Sequence, residues 1–242
     1  MTINTVDRKK MSCSWILRRY RDGDERAILQ LLNAAHGKRG WHSLEYWKWK
    51  YTKNPAGRPI IWLAERDSEV IGHYGIIPIL LKVGNAYVTG SLGCDAATHP
   101  NYQGRGIFSS IVNRSHLDAG NNGIPITYGF SNTNLGPTYK RYERMGHICF
   151  MTTMVKVLNW ESVLATYVNS KLVVRATATA IRKISRARRP GGISTIETLD
   201  RFDERIDALW EQVSANFKNV VRRDQKYLNW RYTDHPERNY TI

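Results

Sequence analysis

Cysteine is scarce, with three in 242 residues. Cys13, Cys94 and Cys149 lie far apart and show no metal-binding or redox spacing. That excludes a disulfide-built scaffold, and the thiols read as buried or incidental groups in a reducing compartment. Long apolar runs are also missing. No stretch approaches the ~18 apolar residues of a membrane span. The polar N-terminal tail, residues 1–14 with Arg8, Lys9 and Lys10, leads into no apolar signal core. The expected location is therefore cytoplasmic. Acidic charge is in short supply, because 21 Asp and Glu face 36 Lys and Arg and leave a net charge of +15. What is present suits a globular fold. The chain is 42% hydrophobic, 11% aromatic and 24% charged, a balance that excludes disordered and collagen-like classes. A chain of this size buries roughly 70% of its unfolded surface. The cationic excess suggests anionic partners: a phosphorylated cofactor, an acidic carrier, nucleic acid or an anionic membrane surface.

Along the chain, Ile16 to Tyr20 reads as a short strand and Asp24 as the cap of a helix carrying Ala27, Ile28, Leu31 and Leu32. A second helix is expected from Leu44 to Tyr51, dense in aromatics and closed by Asn54, Pro55 and Gly57. Three strand-like runs follow, Pro59 to Glu65, Val70 to Ile79 and Tyr87 to Thr98, with turns near Asp67-Ser68 and Gly84-Asn85. They read as an antiparallel meander. Gly106 to Ala119 reads as a helix with Ile107, Ile111, Val112 and Leu117 on or near one face. Ile124 to Phe130 is a further strand, Pro137 to Met145 a helix and His147 to Leu158 a final strand. The order is β-α-α-β-β-β-α-β-α-β.

Residues 160–192 change character. Lys171, Arg175, Arg182, Lys183, Arg186, Arg188 and Arg189 occur with no acid between them, beside a modest apolar stripe of Val173, Val174, Ile181 and Ile184. Pro190, Gly191 and Gly192 break the segment and mark a boundary. Beyond it comes an internal echo. Tyr46, Trp49, Tyr51, Thr52 and Pro55 reappear in order as Tyr227, Trp230, Tyr232, Thr233 and Pro236, and Asp24-Glu25-Arg26 as Asp203-Glu204-Arg205. The expected organisation is a tail (1–14), a complete domain (15–159), a basic helical connector (160–192) and the β-α-α start of a second copy (193–242). Such a fragment either docks on the first domain or a partner, or continues in a longer natural chain.

The most informative stretch runs from Asp95 to Phe108. A strand enters, Gln103, Gly104, Arg105 and Gly106 form a glycine-rich turn, and a helix leaves. Glycines let the backbone approach a ligand closely, and free N–H groups at a helix start attract phosphate. A glycine pair alone is weak; placed between a strand and a helix it is much stronger.

On these residues the chain resembles the Gcn5-related N-acetyltransferase (GNAT) superfamily. Gln103 and Gly106 match the family's acyl-CoA signature, Gly104 and Arg105 fill its variable positions, and Phe108 departs from its last, small position. Asn132 and Asn134, followed by Tyr142 and Gly146, resemble the family's downstream Asn and Tyr stretch. Thr98-His99-Pro100 with Tyr128 and Asn132 look most like a branch with uncharacterised and polysaccharide-associated members. The resemblance implies a layered α/β fold with a mixed, mostly antiparallel sheet flanked by helices. It also implies acetyl-CoA or another acyl-CoA as co-substrate, without a metal. It assigns the pantetheine and thioester to the backbone at Ala96, Ala97 and Thr98, and the pyrophosphate to Gln103, Gly104, Arg105, Gly106, Ile107 and Phe108 with Ser109 near. Asn132 and Asn134 join the cofactor set, and Tyr142 matches the proton donor to the leaving thiolate.

The acceptor amine needs a base. Asp95 at the end of a strand is the leading candidate, against a plain capping role. Glu65, His73 and His99 are weaker candidates, and Tyr139 is a poorer match than Tyr142. The aromatics Trp41, Tyr46, Trp47, Trp49 and Tyr51 either pack on the sheet or stack on a sugar or aryl acceptor. Three functions compete. One is direct N-acyl transfer from acyl-CoA to a small amine or amino sugar in a ternary complex. The second takes the acyl group from an acidic carrier protein docked on residues 171–189. The third is a non-catalytic anion-binding module using that segment. No groove-reading motif accompanies the charges, which speaks against nucleic acid.

Overall fold

The structure, a computed structural model, describes residues 14–37, 43–130, 146, 159–187 and 197–242. It divides into two compact units, Met1–Asn132 with Thr198–Ile242 and Thr133–Glu197. The expected helix at 137–145 and strand at 147–158 lie outside the described residues.

The first unit is an α/β structure on a six-stranded sheet. β1 (Ile16–Arg19), β2 (Ile60–Arg66), β3 (Glu69–Val83) and β4 (Ala86–Thr98) pair antiparallel in that order, and β5 (Thr127–Tyr128) joins β4 in parallel. α1 (Glu25–His36) packs on β3 and β4, and α3 (Ile107–Asn121) packs on β2 and β3. With both faces covered, β2 and β3 carry continuous apolar runs rather than alternating ones. The β2–β3 hairpin turns through Asp67 and Ser68, both in the left-handed region at φ 50° and 64°, which suits the twist of paired strands.

α2 (Leu44–Tyr51) begins at Ser43, whose side chain accepts from the Tyr46 N–H. Its Trp47, Trp49 and Tyr51 are almost fully buried beside Ile28, Leu31, Leu32 and Leu63. Packing on the sheet therefore accounts for these aromatics, and the alternative of an exposed acceptor-stacking platform is corrected for all three. Trp41 lies outside the described residues. α1 brings a second correction: Asp24 does not cap it through its side chain. The carboxylate instead accepts from Arg18 Nη1 and Nη2 at 2.7 and 2.9 Å, an ion pair that ties β1 to the helix start. Leu117, expected on the apolar face of α3, is exposed, whereas Ile107, Ile111 and Val112 are buried.

The C-terminal segment completes this unit. α6 (Glu204–Ser214) is capped by Asp203, and Lys82 Nζ donates to the Ser214 and Phe217 carbonyls where it ends. β6 (Asn219–Val221) pairs with Leu81–Val83 of β3, a flank that β2 does not reach. α7 (Gln225–Leu228) continues as a π-helical turn, Asn229–Thr233. The segment thus runs helix, strand, helix among the described residues, where β-α-α was expected. Its aromatic echo meets the original: Trp49 and Trp230 stack at 5.0 Å between ring centroids, and each indole N–H donates to the other residue's carbonyl. Glu237 accepts from the Ser43 N–H and hydroxyl, both at 2.9 Å.

The second unit contains α4 (Trp160–Ala165) and α5 (Lys171–Ala187). Lys171, Leu172, Val173 and Arg175 on α5 are exposed, while Val174 and Ala178 are buried.

Candidate active site

The glycine turn forms as its residues predict. His99 follows β4 and caps a short 3-10 turn, Pro100–Tyr102, its Nδ1 accepting from the Asn101 N–H. Gln103 Nε2 donates back to the Thr98 carbonyl at 3.3 Å. Arg105 donates to the Asn101 carbonyl and lies 5.3 Å over the Tyr102 ring. Gly104 and Gly106 have φ of 75° and 79°, backbone that other residues adopt only with strain, and a Cβ added at either would meet nothing within 4 Å. Gly106 is the N-cap residue of α3. Gln103 to Gly106 are exposed, Ile107 anchors the helix in the core, and Phe108 and Ser109 are half-buried. The result is an open backbone cradle at the positive end of a helix of fifteen residues.

Upstream, β4 carries a bulge. His73 faces Ala97 and Gly75 faces Cys94, so Tyr74 alone opposes both Asp95 and Ala96. Asp95 has a φ of 52°. Its carboxylate accepts from Lys50 Nζ at 2.7 and 2.8 Å and from the Tyr51 hydroxyl at 2.7 Å. His73 Nδ1 lies 2.7 Å from the Asp95 carbonyl. Gly75 makes room for this arrangement, since a Cβ there would stand 2.5 Å from the Tyr51 hydroxyl oxygen. Burial alone would raise the Asp95 carboxyl, but the Lys50 charge and its hydrogen bond outweigh burial and hold it below the usual carboxylate range. Burial pushes the Cys94 thiol up to about 11 and lowers His73. Among the described residues, His73 Nε2 and Thr98 Oγ1 are buried without a hydrogen-bond partner.

β4 and β5 pair only at Ser91–Thr127 and Leu92–Tyr128 among the described residues. Ser91 Oγ and Thr127 Oγ1 meet at 2.7 Å across this short seam. From Gly93 onward, the flank of β4 that leads to the bulge and the glycine turn is unpaired among the described residues. The expected strand from Ile124 to Phe130 shrinks to two residues for this reason. Ala96, Ala97 and Thr98 thus lie between the bulge and the cradle, as one continuous track.

The expected site residues Asp95 to Thr98 and Gln103 to Ser109 are brought together on this track. Asn132, Asn134, Tyr139 and Tyr142 lie outside the described residues. Glu65 is not brought to it, being ion-paired with Arg18 at 2.5 Å on the β1–β2 pair. Lys50 was missed by sequence reasoning, and Tyr51, read there only as a packing or stacking aromatic, was not linked to Asp95. The available signal was Lys50 itself, a cation between two buried aromatics on α2. No group of three or more His, Cys, Asp or Glu able to hold a metal occurs among the described residues, and no helix among them is long and apolar enough to cross a membrane.

Residues 17–147 match the family described as the acetyltransferase (GNAT) domain. No match is found among curated proteins. Among solved structures, the chain is similar to an acetyltransferase from Trypanosoma brucei at 15% identity and a TM-score of 0.48, covering 59% of this chain and 100% of that one. A predicted acetyltransferase with acetyl-CoA from Clostridium acetobutylicum is similar at 16% identity and a TM-score of 0.48, over 58% and 96% of the two chains. Glucosamine-6-phosphate N-acetyltransferase from Arabidopsis thaliana is similar at 10% identity and a TM-score of 0.47, over 59% and 99%.

Proposed function

The chain belongs to the GNAT acetyltransferase family, and from that premise we propose that it transfers an acyl group from acyl-CoA to the amine of a small molecule or amino sugar by direct attack in a ternary complex. The observation that carries this reading is the open cradle at Gln103 to Gly106. Its two left-handed glycines leave space at a helix N-terminus, which fits a pyrophosphate. Acyl-CoA supplies the activated thioester. Ala96, Ala97 and Thr98 present the flank of β4 that is unpaired among the described residues to the pantetheine arm and the acyl carbonyl, and polar backbone aimed at that oxygen favours charge as it develops. Cys94, half-buried with its thiol raised to about 11, is a poor nucleophile, which supports direct transfer over an acyl-enzyme.

Asp95 takes a different part from the one its sequence position suggests. An ionised carboxylate held by Lys50 and Tyr51 has little affinity for a further proton, so its role is to hold the bulge in place. Tyr142 is the proton donor to the departing thiolate, with Asn132 and Asn134 beside the cofactor. The test is calorimetry with CoA. Gly106→Asp places a carboxylate in the cradle and abolishes binding, while Gly106→Ala weakens it through backbone strain alone. Undiminished CoA affinity in Gly106→Asp overturns the assignment.

A further inference from the structure

The C-terminal segment brings the Arg231 guanidinium to the Trp49 ring, on the α1/α2 side of the β4–β5 seam. Side chains of paired residues on neighbouring strands share a face. Tyr128 is paired with Leu92, and Leu92 packs against the α1/α2 core, so Tyr128 stands on that same face. Tyr227 packs against this core too, 5.8 Å from Trp230. The Arg231 guanidinium lies 5.9 Å from the centre of the Trp49 ring. Burial raises the phenols of both Tyr128 and Tyr227, and Arg223 and Arg231 pull both back down, so the two cations lie within electrostatic reach of the same pair of hydroxyls. Arg231 acts on Tyr46 in the same direction.

Lys50 is taken up by Asp95, and Arg222 pairs with Asp224 at 3.1 Å. Arg223 and Arg231 are exposed and make no ion pair among the described residues. Two unmatched guanidiniums beside an aromatic floor suit a planar or tetrahedral oxyanion, which arginine holds through paired N–H donors. The seam that Tyr128 marks leads along β4 through the bulge at Asp95 to Ala96, Ala97 and Thr98, which face the acyl carbonyl in the reading above.

Resting on that acyl-transfer reading, we propose that the acceptor amine carries a carboxylate or phosphate group, and that Arg223 and Arg231, with Tyr128 and Tyr227, form the subsite that holds it. The C-terminal segment is then a determinant of acceptor choice as well as a part of the fold.

The test uses the full chain saturated with CoA, so that the glycine cradle is occupied. Calorimetric titration compares O-phosphoethanolamine with ethanolamine, and β-alanine with β-alaninamide. At least one anionic member binds about ten- to a hundredfold more tightly than its neutral partner. The pair that shows the difference identifies phosphate or carboxylate as the group recognised. Arg223→Gln with Arg231→Gln removes the preference and leaves CoA affinity and the melting temperature unchanged. Equal binding of charged and neutral members, or a preference that survives in the double variant, overturns the proposal. Failure of the unaltered chain to bind CoA shows in the first titration and strikes the acyl-transfer reading on which the proposal rests.

Discussion

Trp49 and Trp230, 181 residues apart in sequence, each donate an indole N–H to the other's backbone carbonyl, at 2.7 and 3.0 Å. The contact joins two copies of one sequence pattern: within each copy a tyrosine packs on the tryptophan, Tyr46 on Trp49 and Tyr227 on Trp230. The exchange satisfies two buried donors and two buried acceptors at once, so the two halves of the interface depend on each other. Trp230→Ala removes the stack and the indole hydrogen bond to the Trp49 carbonyl and destabilises the protein by about 3–5 kcal/mol. Trp230→Phe keeps the stack but orphans the Trp49 carbonyl, costing about 1–3 kcal/mol. Urea denaturation of the full chain measures both, and a Trp230→Phe variant as stable as the unaltered chain would show that this indole hydrogen bond is unimportant.

The Lys50–Asp95 pair is nearly excluded from water, and removing one partner strands the other's charge. Lys50→Met destabilises by about 3–5 kcal/mol. Lys50→Met combined with Asp95→Asn loses less than the sum of the single changes, because neither charge is then left alone. A double-mutant cycle with strictly additive losses would contradict a coupled pair.

Cys94 has its thiol pushed up by burial to about 11, so almost no thiolate exists near neutrality. Mass mapping after treatment of the native protein with a thiol-disulfide reagent at pH 8 finds Cys94 unmodified, and finds it labelled once urea is added. Rapid native labelling would contradict this.

His73 and His116 are both lowered by burial. The unfolded chain takes up their protons near the ordinary histidine value of about 6.5, whereas the folded chain resists, so acidification favours unfolding. Their contribution is intact above about pH 7 and is lost progressively as pH falls through about 6.5 and below. Asp95, held below the usual carboxylate range, releases its share only below about pH 4. Denaturation midpoints therefore decline in two separate stages. A midpoint that stays constant from pH 7 to 5 rules out the histidine stage.

Local features were legible in the sequence. α2 spans Leu44–Tyr51 as its composition predicts, and the turn at Asp67-Ser68 falls where polar residues interrupt two apolar runs. The glycine turn was readable because its conformation needs glycine at particular places, a demand that sequence meets residue by residue. Long-range features were not. Asp95 reads from sequence as the end of a strand, where a carboxylate serves equally as a base or a cap; only the fold places it at a bulge within β4 and brings Lys50 to it. β3 runs on to Val83 because β4 continues beside it and β6 arrives from the C-terminal segment, neither of which a local pattern can register. The repeat was visible as a pattern, yet a pattern says nothing of whether its copies touch.

Glu237 accepting from Ser43 has a consequence for how the protein is made. Synthesis runs from the N-terminus, so α2 leaves the ribosome long before the residue that meets its first turn and the indole that stacks on Trp49. Until then a nascent chain carries an uncovered tryptophan face and an incomplete helix start. Contacts of such wide sequence separation form late and slow the last step of folding. Apolar surface uncovered during such an interval is what makes a folding chain prone to aggregate.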